Sequence, residues 1–255
     1  MKAYKAYCFD LDGTVYRGGQ GIQTAIDFIH QLQAKGIEPF YVTNNSSKTR
    51  QQLQNALSLL GIQAPLDHIF SSALATAKYV ETNYPNKRVA LIGSNGLRDA
   101  MANEGIELTR VTPEVFVIGI DRTLNYSILA DACVSVQNGA TLIATNQDIK
   151  FPTEQGFVPG NGSFARLVGE VAGVEPIYIG KPSPIMLDVI AKEFGFAKHE
   201  MVMIGDNYDT DIQCGIQYGI DTIHVNTGVT STEIVSGKEQ PATYLVENLS
   251  RINVQ

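Results

Sequence analysis

Ala6-Tyr7-Cys8-Phe9-Asp10-Leu11-Asp12-Gly13-Thr14 reads as an apolar strand that ends abruptly in two carboxylates, two residues apart. Like charges that close raise each other's pKa and call for a counter-ion, so the pair marks a site rather than an ordinary turn. Three later segments offer partners. Val42-Thr43-Asn44-Asn45 ends a second strand, Lys181 ends a third, and Met203-Ile204-Gly205-Asp206 ends a fourth, with Asp211 five residues on. If the strands are parallel, four polar strand ends converge on one edge of an open α/β sheet, where such folds bind ligands.

Strand and helix patterns alternate along the rest of the chain, which favours a mostly parallel sheet covered by helices. Strands are expected at 6–9, 39–43, 89–92, 115–120, 141–144, 177–179, 201–204 and 221–225. Helices are expected at 24–35, 51–60, 74–82, 125–136, 163–171, 184–194 and 209–218. The acidic and basic motif residues lie before residue 45 and after residue 180, and the middle has strands and helices of its own. An inserted domain explains this economically. The expectation is a core of residues 1–79 and 177–255 with an α/β insert at 80–176 that caps the sheet edge. Asn146–Gly162, polar and rich in glycine, is the most loop-like part of the insert and its candidate lid surface.

Composition narrows the function. Hydrophobic residues at 44% and charged residues at 18% describe an ordinary folded chain. A formal charge of −7 argues against a nucleic-acid partner, which a basic surface would suit better. The three cysteines are widely spaced and odd in number, so no disulfide framework or thiolate metal site is visible and a reducing compartment fits. No signal peptide or membrane-spanning stretch is evident, making a cytoplasmic protein the default expectation. Gly93-Ser94-Asn95-Gly96 lacks the spacing of a dinucleotide fingerprint. His30, His68 and His199 have no ligand cluster around them, and His224 reads as sheet packing or a local hydrogen bond.

The motif residues permit phosphoryl transfer. Asp10 can attack phosphorus once a hard cation relieves its repulsion from the phosphate dianion, and magnesium favours an all-oxygen shell of this kind. Asp206 supplies a second carboxylate, and Asp211 either binds directly or holds a coordinated water. Gly13 breaks the strand, letting the Asp12 side chain swing toward the leaving group while its backbone carbonyl faces the metal. Lys181 and the Thr43 hydroxyl can neutralise the transferring group, and backbone amides around Leu11, Asp12, Gly13 and Asn44 can meet its oxygens. Asp12 then serves as acid and afterwards as base.

Together, Phe9-Asp10-Leu11-Asp12-Gly13-Thr14, Thr43-Asn44-Asn45, Gly180-Lys181-Pro182 and Gly205-Asp206-Asn207 with Thr210-Asp211 resemble the four motifs of the haloacid dehalogenase superfamily. The closest branch is the NagD-like, or 4-nitrophenylphosphatase-like, one. The resemblance spans nearly the whole chain and implies a Rossmann-like three-layer core with a large α/β cap. It implies Asp10 as nucleophile, Asp12 as general acid/base, and Thr43 and Lys181 as the phosphate-stabilising pair. Magnesium would be bound by Asp10, the Asp12 carbonyl and Asp206, with Asp211 in support. Ala144-Thr145-Asn146-Gln147-Asp148 and Pro159-Gly160-Asn161-Gly162-Ser163 resemble the branch's cap signature, with Gln147 where proline is frequent.

The shared motifs read the phosphate and not the rest of the substrate. The branch dephosphorylates nucleotides, sugar phosphates, phosphoglycolate or pyridoxal phosphate, so a small phosphorylated metabolite is expected. Asn45, Asn146, Asp148 and their neighbours Gln147, Lys150, Phe151 and Glu154 are candidates for contacting it. A homodimer through the cap is the assembly the branch suggests. Two other functions stay open at this level: a phosphotransferase of the same chemistry, and a non-catalytic sensor of a phosphorylated ligand.

Overall fold

The computed structural model describes residues 2–153 and 155–252. Its strands up to the middle of the chain are β1 (Ala6–Phe9), β2 (Tyr16–Arg17), β3 (Gln20–Gly21), β4 (Phe40–Thr43), β5 (Ile69–Ser71), β6 (Val89–Ile92) and β7 (Val115–Ile118). They continue as β8 (Thr141–Ala144), β9 (Lys150–Thr153), β10 (Gly156–Pro159), β11 (Ile177–Tyr178), β12 (Met201–Gly205), β13 (Asp221–Val225) and β14 (Tyr244–Val246). The α-helices are α1 (Gln23–Ala34), α2 (Arg50–Leu59), α3 (Ser72–Asn83), α4 (Asn95–Asn103), α5 (Tyr126–Gln137), α6 (Asn161–Ala172), α7 (Ile185–Phe194), α8 (Gln213–Tyr218) and α9 (Thr232–Ser236). The chain divides into two units. The first takes the residues up to 43, 50–70 and those from 181 onward; the second takes 44–49 and 71–180.

The first unit is built on a sheet of order β14-β13-β12-β1-β4-β5. β1 pairs in parallel with both β12 and β4, Phe9 lying opposite Ile204 on one side and Tyr41 on the other. Strands consecutive in space are thus far apart in sequence on one side of β1 and close on the other. That reversal is a topological switch point, where a crevice opens beyond the carboxyl ends of the strands. β1, β4 and β12 are buried along their whole length, as expected of a sheet covered on both faces.

Strand alternation assigns the faces. Tyr7, Phe9, Tyr41, Val202, Ile204, Ile223 and Val225 pack with Ile26, Phe28, Ile29 and Leu32 of α1 and with Leu53 and Leu57 of α2. Ala6, Cys8, Phe40, Met203 and His224 alternate to the other face and are equally buried. There α8 comes close because Gly215 has no side chain: a Cβ would lie 2.3 Å from Thr222 Cγ2.

The second unit has a sheet of order β11-β8-β7-β6, in which all three pairings are parallel. Ala132, Cys133 and Val136 of α5 and Ala165 and Val168 of α6 pack against Ala90, Ile92, Phe116, Ile118, Leu142 and Ala144.

Several expectations need correction. Lys181 does not follow a strand of the first sheet. Ile177 and Tyr178 lie opposite Ile143 and Ala144 in the second sheet, and Lys181 is the residue at which the chain re-enters the first unit. The first unit therefore contributes three polar strand ends to the edge, with the lysine arriving from outside the sheet. Residues 71–79, placed with the core from sequence, and 177–180 belong to the second unit, as do 44–49. The stretch expected to be loop, 146–162, carries the antiparallel hairpin of β9 and β10. β5 and β14 have three residues each, too few to display an alternation, and α4 was concealed by its Asn-Gly start. The helix expected from Asp209 begins instead as a π-helical turn, Tyr208–Ile212, before α8.

Phe9 is fully buried, with its ring 6.2 Å from Phe28 and 6.5 Å from Tyr41. Phe9→Ala should lower stability by about 3–5 kcal/mol, read as a drop in the urea midpoint with an unchanged slope.

Candidate active site

The backbone makes the site at the end of β1. The Asp10 amide still donates to Ile204 O at 2.8 Å, continuing the parallel ladder for one more residue. The chain then turns tightly, with the Leu11 carbonyl accepting from the amides of Val15 at 2.9 Å and Tyr16 at 3.0 Å. Gly13 sits at φ +99°, and a Cβ there would lie 2.5 Å from Asp206 Oδ2. Only glycine meets both conditions, a left-handed backbone and direct approach to a carboxylate from β12.

Lys181 is at the centre and almost wholly buried. Its ammonium donates to Asp10 Oδ1 at 2.5 Å, Asp211 Oδ1 at 2.8 Å and the Val42 carbonyl at 3.0 Å, which uses all three protons. Asp211 Oδ1 also accepts from Thr210 at 3.1 Å, and Oδ2 accepts from the Asn207 amide at 3.0 Å. Its carboxylate is thus held on both oxygens, and the π-helical turn that carries it sets that orientation. Asp206 Oδ1 accepts from the Thr14 hydroxyl at 3.1 Å and Oδ2 from the Val229 amide at 2.7 Å.

Three buried carboxylates and one buried ammonium leave a formal charge of −2. Burial, followed by repulsion from Asp211, pushes the Asp206 carboxyl up to about 6. Burial also drives Asp10 well above the usual carboxylate range, against the attraction of Lys181. Burial works against the Lys181 ammonium, but Asp10 and Asp211 outweigh it and hold its pKa above the ordinary value.

One ligand oxygen from each of Asp10, Asp206 and Asp211 lies within 4.8 Å of the others. The donors are all oxygen and the charge deficit is two, so the residues fit a divalent cation. The Asp12 carboxylate is not in this cluster, and its side chain is exposed.

The first unit therefore brings together Asp10, Lys181, Asp206 and Asp211, with Leu11 and Gly13 forming the turn beside them and Thr43 closing the adjacent β4. The other candidates fall in the second unit. Asn45 Oδ1 accepts from the amides of Ser47 and Lys48 and so caps a turn. Asn44 Nδ2 donates to Asp148 at 3.2 Å, and Asn146 Nδ2 donates to the Asn44 carbonyl at 2.8 Å. Asn146 is buried, Asp148 half-buried, and Gln147 and Lys150 exposed, with the Lys150 ammonium 4.2 Å from the Phe157 ring. Glu154 lies outside the described residues. Sequence reasoning quoted Thr14 within the opening motif but gave it no role, and it missed the Thr227-Gly228-Val229 segment, whose signal was a glycine turn after β13.

A metal-free protein carries the cost of these carboxylates at neutral pH. Asp206 goes from an ordinary 3.8 to about 6 on folding, so the folded state binds the extra proton between those values. Stability from this group is accordingly lost as pH rises through that window. A divalent cation needs the ionised form. The rise in melting temperature on adding a divalent cation should therefore be larger at pH 7 than at pH 5, as differential scanning fluorimetry at both pH values would read. An equal rise at both would contradict it.

Comparison with known proteins agrees with the geometry. Residues 7–107 match the model for haloacid dehalogenase-like hydrolases, and residues 178–252 match that for HAD-hydrolase-like proteins. The chain is 41% identical over 253 residues to an acid sugar phosphatase of Staphylococcus saprophyticus, covering 99% of this chain and 98% of that one. It is 44% identical over 251 residues to an acid sugar phosphatase of Staphylococcus aureus, covering 98% and 97%. A solved structure of 4-nitrophenylphosphatase from Thermotoga maritima superposes with a TM-score of 0.93 at 31% identity, covering 99% and 98%. A single mutant of a thermostable NPPase from Geobacillus stearothermophilus gives 0.93 at 40% identity, covering all of both chains.

Proposed function

Because the chain belongs to the haloacid dehalogenase-like hydrolases, in their NagD-like branch, and is a phosphatase, we propose that it hydrolyses small sugar phosphates through an aspartyl-phosphate on Asp10, with magnesium as its metal. The observation that carries the mechanism is the buried set of Asp10, Lys181, Asp206 and Asp211, whose charge deficit of two is confined to oxygen ligands. Hydrolysis of a sugar phosphate is supported by the relatives named acid sugar phosphatases, which align over almost their whole length.

Asp10, Asp206 and the Asp12 carbonyl would hold the magnesium, which when bound would offset negative charge on the phosphoryl oxygens. Asp211 acts differently. Three of its four acceptor positions are already taken by Lys181, Thr210 and Asn207, so it orients the lysine and supports the metal site.

Asp10 attacks phosphorus, forming a P–O bond to its carboxylate as the bond to the sugar oxygen breaks. Asp12, exposed at the turn and outside the buried cluster, gives its proton to the departing alkoxide. Lys181 stays bonded to Asp10 and limits charge build-up at the nucleophile, while the Thr43 hydroxyl donates to a phosphoryl oxygen. In the second half Asp12 takes a proton from water, whose oxygen attacks phosphorus. The P–O bond to Asp10 then breaks, releasing inorganic phosphate and restoring both carboxyl groups.

Phosphate release should be measured with magnesium across sugar phosphates, nucleoside monophosphates, phosphoglycolate and pyridoxal phosphate. Sugar phosphates should give the highest kcat/KM, and Asp10→Asn should reduce it by about 10³-fold or more. Acid quenching during turnover should trap an acyl-phosphate that hydroxylamine cleaves. Preference for another group in the panel would overturn the substrate class, and full activity in Asp10→Asn would overturn the nucleophile.

A further inference from the structure

The segment Asn226–Thr230, which follows β13 and contains none of the motif residues, closes on Asp206. Its contacts come in three kinds. The Val229 amide donates to Asp206 Oδ2 at 2.7 Å, and the Thr230 amide donates to the Asp206 carbonyl at 3.1 Å. The Thr227 hydroxyl donates to the Gly13 carbonyl at 2.6 Å, tying the segment to the turn that bears Asp12. Gly228 then lies so near the carboxylate that a Cβ on it would stand 1.8 Å from Asp206 Oδ2 and 2.3 Å from Cγ. Gly228 has no left-handed φ to explain its glycine. Space beside Asp206 is the reason.

His224 fastens the segment from beneath. It is fully buried, and its Nε2 lies 3.2 Å from the Asp206 carbonyl and 2.9 Å from the Thr230 carbonyl. Both partners are acceptors, so Nε2 carries the hydrogen. The other nitrogen, Nδ1, is buried with no hydrogen-bond partner. An orphaned buried acceptor destabilises the fold. An apolar strand residue at this position would avoid that cost, but it could not tie the Asp206 and Thr230 carbonyls together.

We infer that Thr14 and the Thr227-Gly228-Val229 segment, tied down through His224, are positioning residues that aim the Asp206 carboxylate and thereby set the affinity of the site for a divalent cation. This rests on the metal reading given under Proposed function. The two oxygens of Asp206 each receive one fixed donor, Thr14 on Oδ1 and Val229 on Oδ2, so the rotation of the carboxylate is set before any ion arrives. Partners that orient a ligand in this way typically change metal affinity about 10- to 100-fold when removed.

The test is titration calorimetry of the full-length protein with magnesium and with manganese, alongside the melting temperature without metal. Gly228→Ala should bind either ion at least about tenfold more weakly, because the methyl group has to displace the carboxylate. Thr14→Val should weaken binding by a similar factor, and Thr14→Ser, which keeps the hydroxyl, should restore it. If Gly228→Ala does not fold, the Thr14 pair decides. Wild-type affinity in folded Gly228→Ala, or equal affinities for Thr14→Val and Thr14→Ser, would overturn the inference while leaving the metal site intact. A wild-type protein that binds neither ion would overturn the metal reading and this inference with it.

Discussion

Putting three carboxylates and a single ammonium out of water is the constraint from which the rest of the first unit follows. Taking an ion from water costs several kcal/mol, repaid only by good geometry and satisfied hydrogen bonds. Lys181 spends every proton on Asp10, Asp211 and Val42, and Asp206 and Asp211 have donors on both oxygens. Even so, one positive charge cannot balance three negative ones. Burial first, and then the neighbouring carboxylates, raise the Asp10 and Asp206 carboxyls, and the oxygen donors with their charge deficit fit a divalent cation.

The constraint also explains where glycine appears. Gly13 and Gly228 leave room for Asp206, and Gly205 leaves room for Asp211, where a Cβ would lie 2.2 Å from the aspartate's own Cβ. None of these three positions could carry a side chain without moving a carboxylate. The glycines are therefore part of the electrostatics, since they set how closely the charges and their donors approach.

The strands and helices that place Asp10, Thr43 and Asp206 were legible because each is a buried run that stops at a polar residue. Asp10 and Asp206 could be matched across the chain for that reason. Lys181 was legible as a partner but not in its placement. Ile177 and Tyr178 look like any short parallel strand, and nothing local says to which sheet they belong. The hairpin of β9 and β10 was hidden by its polar, glycine-bearing sequence, which suits a loop equally well. Gly228 and the role of Thr14 escaped notice because their contribution is closeness to Asp206, and contacts between residues so far apart in sequence leave no periodic trace.

Translation order gives this arrangement a further meaning. Asp10 is made before its buried cation partner, which lies 171 residues further along the chain, and Thr227, which ties down the Gly13 turn, lies 214 residues from Gly13. β1 lies between β12 and β4, so its place in the sheet is complete only once β12 has been made. The opening strand therefore emerges well before Lys181 and β12, the segments it is buried against. The buried cluster can therefore close only after Lys181, Asp206 and Asp211 have all been made, and a chain cut short before residue 181 would hold Asp10 without its buried partners.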